Sequence, residues 1–155
     1  MSHRILMVCL GNICRSPIAE GVMKYRAEEA GLDIFVDSAG TSGWHEGELP
    51  DRRSIEIMRA FDLDITDQRS RPVRQSDFED FDLILAMDRS NYDNLIDMAA
   101  TTDQKDKVKM ILAYSNSGLP ANVPDPYYGG DDGFRNVYLM IDEAIVAIVN
   151  DLSTN

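Results

Sequence analysis

Two cysteines, two histidines and one tryptophan are all that 155 residues contain of those types, and 15 basic side chains face 27 acidic ones. Each shortage excludes something. Two cysteines, Cys9 and Cys14, make no disulfide scaffold. They are not spaced as CxxC, and with only His3 and His45 beside them a zinc site is weakly supported. The deficit of cations leaves a formal charge of -12, a poor basis for nonspecific binding to nucleic acid or an anionic membrane. It leaves open a local anion site made of backbone N–H groups and one arginine. No apolar stretch approaches the length of a membrane span. Met1-Ser2-His3-Arg4 leads into a short apolar run with no cleavage pattern after it, so a cytoplasmic location is expected. What is present is ordinary for a globular chain: 44% hydrophobic and 27% charged residues, enough to build one domain over residues 1–155.

Periodicity predicts alternating strands and helices. The apolar run Arg4 to Leu10 reads as a strand covered on both faces. Pro17 to Ala30 reads as a helix, with Ile18, Val22, Tyr25 and Glu29 at helical spacing, Ser16 as its cap, Pro17 at its first position and Gly31 at its end. Strands are expected at Ile34 to Ser38, Phe81 to Met87 and Val108 to Tyr114, and helices at Asp51 to Phe61 and Asp88 to Ala100. Phe134 to Val149 is the strongest helix, with Phe134, Val137, Tyr138, Ile141, Ala144, Ile145 and Ile148 recurring at three and four. The alternation predicts an α/β fold: an open, four-stranded parallel sheet with helices on both faces. Ser115 to Gly133, with three prolines and four glycines, has no periodicity, and loops of that length are usually functional or mobile.

In such a sheet ligands bind beyond the C-terminal ends of the strands. Cys9 falls there, and LGNICRSP follows it. The chain must turn between Leu10 and Ser16 and enter a helix. Consecutive N–H groups can then converge on an anion, the helix dipole adds to them, and Arg15 can clamp two phosphate-type oxygens. The same surroundings favour a thiolate at Cys9, with Ser16 as a hydroxyl donor. The stretch is not a nucleotide-binding loop, since GxxxxGK[ST] is absent. Taken alone, a cysteine here is as easily a buried structural residue.

CLGNICRSPIAE closely resembles the signature of the low-molecular-weight protein tyrosine phosphatases, and VDSAGTSGWHEG, DLILAMDRSN and PDPYYG follow in that family's order. The resemblance spans nearly the whole chain. It implies that Cys9 is a nucleophile forming a phosphocysteine, and that Arg15 and the loop from Leu10 through Gly11, Asn12, Ile13 and Cys14 to Ser16 hold the phosphoryl group. Asn12 would brace the loop, Ser16 assist the thiolate and Asp125 serve as general acid, then base. Trp44, Tyr127 and Tyr128 would wall the substrate slot, and Ser42 and Asp88 support it. Asp131, Asp132 and Asp51 are rival acids. No metal or cofactor is implied. The expected partner is a phosphotyrosine-containing protein, by family analogy a bacterial tyrosine kinase, and the expected state a monomer.

Rival readings share the loop. Relatives that remove phosphate from arginine look to carry threonine where this chain has Ile13, whose side chain suits a phenyl ring better than a guanidinium. Arsenate reductases of this fold relay through further cysteines, and none follows Cys14 here. The resemblance also makes Cys14 a redox partner for Cys9. A non-catalytic phosphotyrosine-binding module is the remaining alternative. Gln68, Arg69 and Arg71 are expected at a substrate rim or on a solvated face, and Arg89 has no assigned role.

Overall fold

The computed structural model describes residues 2–115, 121–127 and 131–154. Strands β1 (His3–Cys9), β2 (Ile34–Gly40), β3 (Leu83–Ala86) and β4 (Val108–Met110) form one sheet in the order β2-β1-β3-β4, parallel throughout. Helices α1 (Arg15–Ala30), α2 (Arg52–Ala60), α3 (Asp77–Asp80), α4 (Arg89–Met98), α5 (Thr102–Asp106) and α6 (Asp131–Ser153) surround it. β1 is hydrogen-bonded on both sides, and its Ile5 to Cys9 are all buried, which is why it reads as a continuous apolar run.

The pleat of β1 divides the core. Ile5, Met7 and Cys9 face α1, α2 and α6, while Leu6 and Val8 face α3 and α4. Helices therefore cover both faces, as the alternation predicts. All of the periodic residues named in α6 are buried, and Phe61 stacks on Tyr138 with ring centroids 3.9 Å apart. Among the described residues no helix is long and apolar enough to cross a membrane.

Several boundaries differ from expectation. β4 stops at Met110 and Ile111–Tyr114 turns into a 3-10 helix. β3 offers partners only to Val108, Lys109 and Met110, so the apolar run outlasts the ladder that could pair it. α3 and α5 lie in stretches too short for periodicity to show. Tyr25 is 43% exposed although it shares the spacing of Ile18 and Val22. α1 turns Ile18, Ala19, Val22 and Met23 inward, and Tyr25 falls at the edge of that face. Gly31 ends α1 with φ of 69°, the left-handed conformation a glycine adopts without steric cost.

Candidate active site

α1 starts two residues earlier than the Ser-Pro pair suggests. Its cap is Cys14, with no side-chain cap hydrogen bond, and Pro17 occupies the third helical position. A missing N–H there still falls among those an α-helix leaves unpaired. Ser16 is thus not a cap. The first-turn N–H groups of α1 are left for a ligand.

The loop between β1 and α1 is held from outside by its carbonyls. Thr41 N–H donates to Cys9 O at 2.9 Å, and Ser42 N–H and Oγ donate to Leu10 O at 2.9 and 3.1 Å. Ser70 Oγ donates to Gly11 O at 3.0 Å, Asp51 N–H to Ile13 O at 2.7 Å and Ser54 Oγ to Cys14 O at 3.2 Å. In a trans peptide the N–H points opposite to the C=O. Carbonyls tied outward turn the following N–H groups inward, and the loop becomes an anion nest. The packing leaves no slack. A Cβ on Gly40 would sit 2.7 Å from Leu10 O and 3.1 Å from the Gly11 carbonyl carbon, so this end of β2 needs a glycine.

Asn12, buried and at φ of 56°, is the loop's internal strut. Its Oδ1 accepts from Arg71 N–H at 3.0 Å, and its Nδ2 donates to Ser16 Oγ at 2.8 Å and Ser38 Oγ at 3.0 Å. Ser16 Oγ lies 3.0 Å from Cys9 Sγ. Because Ser16 already accepts from Asn12, its own hydrogen is free to point at the sulfur.

Arg15 is 2% exposed. Its Nη1 donates to Asp88 Oδ2 at 2.6 Å and to Val123 O at 3.0 Å, which uses both hydrogens of that nitrogen. Nη2 stands 3.8 Å from Asp125 Oδ2. Burial works against the Arg15 charge, but Cys9 and Asp88 outweigh it and hold the guanidinium above its ordinary pKa. Asp88 is itself fixed as the cap of α4 by Asn91 N–H at 2.8 Å. Breaking such a buried pair from one side typically costs about 3–5 kcal/mol.

The segment 121–127 carries Asp125 to this point. Val123, buried, donates its N–H to Met87 O at 2.8 Å, and Asn122 Oδ1 accepts from Arg89 N–H at 2.8 Å. Asp125 Oδ1 then takes Tyr127 N–H at 3.1 Å. Asp132 is exposed in the first turn of α6. Asp51 caps α2, accepting from Arg53 N–H at 2.8 Å. Burial pushes Asp51 up, yet the Arg53 side chain and backbone together hold its carboxyl below the ordinary range.

Together these residues enclose a cleft of about 170 Å³, with Cys9, Cys14, Arg15, Leu10, Gly11 and Ile13 at its base and Trp44, His45, Asp125 and Tyr127 around it. Trp44 is 77% and Tyr127 40% exposed, so neither is a core residue. Arg53 lies 5.4 Å from the Tyr127 ring. Tyr128 lies outside the described residues. The Cys14 thiol is pushed up to about 12, chiefly by burial and then by the negative charges of Asp51, Cys9 and Asp125, against the opposing pull of Arg53.

Sequence reasoning missed several contributors. Arg71 is neither rim nor solvated face: its guanidinium joins Asp37 and the buried Asp77 while its N–H holds Asn12. Gln68 is buried and donates to Pro17 O at 3.0 Å, whereas Arg69 donates to the nearby carbonyls of Thr66 and Gln68. Ser38, Ser54, Ser70 and Val123 gave no local signal, since each acts across a long chain separation. His45, next to Trp44 in the chain, lines the same cleft and could have been included with it.

A family model described as low molecular weight phosphotyrosine protein phosphatase matches residues 4–155. A low molecular weight phosphotyrosine protein phosphatase of Schizosaccharomyces pombe is 42% identical over 141 residues, 89% of each chain. Among solved structures, a protein tyrosine phosphatase from Entamoeba histolytica with Hepes in its active site superposes with a TM-score of 0.93 at 38% identity, covering 98% of this chain and 97% of that one. At 26% identity, a cysteine-to-serine mutant of the YwlE arginine phosphatase with a phosphorylated active-site serine superposes with a TM-score of 0.90, covering 98% and 97%. With a cysteine at the floor of an anion nest, a buried arginine beside it and these similarities along almost its whole length, the chain belongs to the low-molecular-weight phosphotyrosine protein phosphatase family.

Proposed function

We propose that this protein hydrolyses phosphotyrosine in proteins through a phosphocysteine. The observation that carries the reading is the convergence of Cys9 Sγ, the inward N–H groups of its loop, Arg15 and Asp125 on one cleft. The phosphoryl group sits in the nest, its oxygens on loop N–H groups and on Arg15 through the nitrogens that Asp88 and Val123 leave free. The Cys9 thiolate attacks phosphorus, the bond to the tyrosine oxygen breaks, and Asp125 gives its proton to that oxygen. Water then attacks the phosphocysteine, Asp125 takes its proton, and the thiolate leaves with the Ser16 hydroxyl donating to it. Inorganic phosphate is released. Trp44 and Tyr127 flank the tyrosine ring, and stacking of this kind contributes about 0.5–1.5 kcal/mol per pair. Asp88 and Ser42 support the site through Arg15 and Leu10 O. The protein acts in the cytoplasm, as a monomer, on a phosphotyrosine-bearing protein such as a tyrosine kinase.

The testing experiment measures hydrolysis of phosphotyrosine, phosphoserine and phosphoarginine peptides with chelator present. Phosphotyrosine is expected to exceed both others by about tenfold or more, the span that pocket shape alone can give. Faster phosphoarginine turnover would transfer the chain to the chemistry of its arginine phosphatase relative, for which Ile13 at the cleft base is the opposing observation. Binding without any turnover would leave a phosphotyrosine-binding module.

Cys14 is proposed as the redox partner of Cys9. Peroxide turns the Cys9 thiolate into a sulfenic acid and hydroxide, and the Cys14 thiolate displaces a second hydroxide to close a disulfide that a thiol reductant reopens. Burial holds the Cys14 thiol above its ordinary range, so closure should speed up as pH rises and the thiolate fraction grows. Peroxide-treated wild type should therefore regain activity with thiol while Cys14→Ser loses it permanently. Equal recovery in both removes Cys14 from any redox role.

A further inference from the structure

The hydrogen-bond chain behind Cys9 does not end at Asn12. Ser38 Oγ donates to Glu20 Oε1 at 2.7 Å, and Glu20 Oε2 accepts from Lys24 Nζ at 2.7 Å. Glu20, Ser38, Asn12 and Ser16 are all buried. We infer that Glu20 is a positioning residue for the nucleophile: its carboxylate holds the Ser38 hydrogen, so that Ser38 receives Asn12 Nδ2 and helps to hold the amide whose same nitrogen donates to Ser16, leaving the Ser16 hydrogen for Cys9. The inference rests on the phosphocysteine reading above.

Donor and acceptor chemistry permits one polarity. An ionised carboxylate only accepts, so Ser38 must direct its hydrogen at Glu20 and offers a lone pair to Asn12. The Asn12 amide cannot turn over, because Arg71 N–H requires Oδ1 on its side. Nδ2 therefore donates to both serines, and Ser16 is left to donate to Cys9 Sγ. Such chains gain from alignment and lose when one member is reversed.

Lys24 makes the inference testable. In Glu20→Gln the ammonium of Lys24 holds the amide oxygen, so the amide N–H₂ faces Ser38. Ser38 must then accept from position 20 as well as from Asn12 Nδ2, and its hydrogen loses the carboxylate that held it. Removing the ammonium in Glu20→Gln/Lys24→Met frees the amide to turn its oxygen to Ser38 and restores the polarity. Stability should not follow the same order. Burial, with Asp37 adding to it, holds the Glu20 carboxyl above its ordinary range against the hydrogen bonds from Lys24 and Ser38. A carboxyl raised in the folded state favours folding below its unfolded pKa, and that contribution is lost as pH rises through the folded value. At neutral pH the neutral glutamine removes the cost of burying the charge. The other charged neighbour, Asp67, stands 3.7 Å from Lys24.

The experiment follows the pH dependence of Cys9 alkylation by iodoacetamide without substrate, with mass mapping to separate Cys9 from Cys14, beside kcat on a phosphotyrosine peptide and a thermal melt. In Glu20→Gln the alkylation midpoint should rise by about one pH unit and kcat fall about tenfold. The double variant should move both back toward wild type, and Ser38→Ala should resemble Glu20→Gln. A lowered melting temperature with unmoved midpoint and kcat would make Glu20 merely structural and overturn the inference. So would equal shifts in the single and double variants. Absence of turnover in the wild type would overturn the phosphatase reading instead, and the alkylation series would still judge the chain's polarity.

Discussion

Cys9→Ser is expected to abolish phosphotyrosine turnover, a loss of about 10⁴-fold or more in kcat. The substitution changes one atom at the floor of the cleft. The carbonyl anchors at Thr41, Ser42, Ser70, Asp51 and Ser54 and the Arg15–Asp88 pair do not involve the sulfur, so the nest persists. Affinity for inorganic phosphate should change only severalfold. A serine hydroxyl is a far weaker acid than a thiol, and a neutral hydroxyl beside a phosphate dianion is a poor nucleophile without a base next to it. Ser16, which lies 3.0 Å from the sulfur, is a hydroxyl and no base. Calorimetry with phosphate and single-turnover trapping of the phosphoenzyme check this together. Retained binding without sustained turnover fits, even where the serine itself keeps a phosphoryl group; continued turnover would place the nucleophile elsewhere.

Asp125→Ala should slow hydrolysis of a tyrosine ester by about 10²–10³-fold, within the range for a positioned general acid. The effect should shrink on an activated ester such as p-nitrophenyl phosphate, whose leaving group departs without a proton. That dependence separates proton donation from a damaged loop, since misplacing Val123 would loosen Arg15 and slow both substrates alike. Asp132→Ala, an exposed change, should leave both rates near wild type. Should Asp132→Ala or Asp131→Ala show the leaving-group effect while Asp125→Ala does not, the acid is misassigned.

Local pattern carried much of this protein. The spacing of Phe134 to Ile148 needs only one apolar surface to pack against, and each of those positions is buried. The unbroken apolar run of β1 requires cover on both faces, and the turn after it could be read as an anion loop from Gly11, Arg15 and the helix behind them. Each of these is a property of near neighbours in the chain. The sequence by itself therefore determined the α/β alternation, the central strand and the position of the cysteine and arginine relative to it.

Tertiary structure decided the rest. β4 ends at Met110 because β3 ends at Ala86, a limit imposed by another strand. Ser16 lies in the first turn of α1 and not at its cap, and there its hydroxyl meets both the Cys9 sulfur and an Asn12 amide held by Arg71. Arg71 sits among Asp37, Asp77 and Asn12, partners 34, 6 and 59 residues away, so nothing in its own neighbourhood marks it as anything but a surface cation. Glu20 looks like one more helix charge paired to a lysine four residues on, until β2 brings Ser38 to it. Hydrogen-bond direction is set by which donors and acceptors meet, and only the folded chain brings them together.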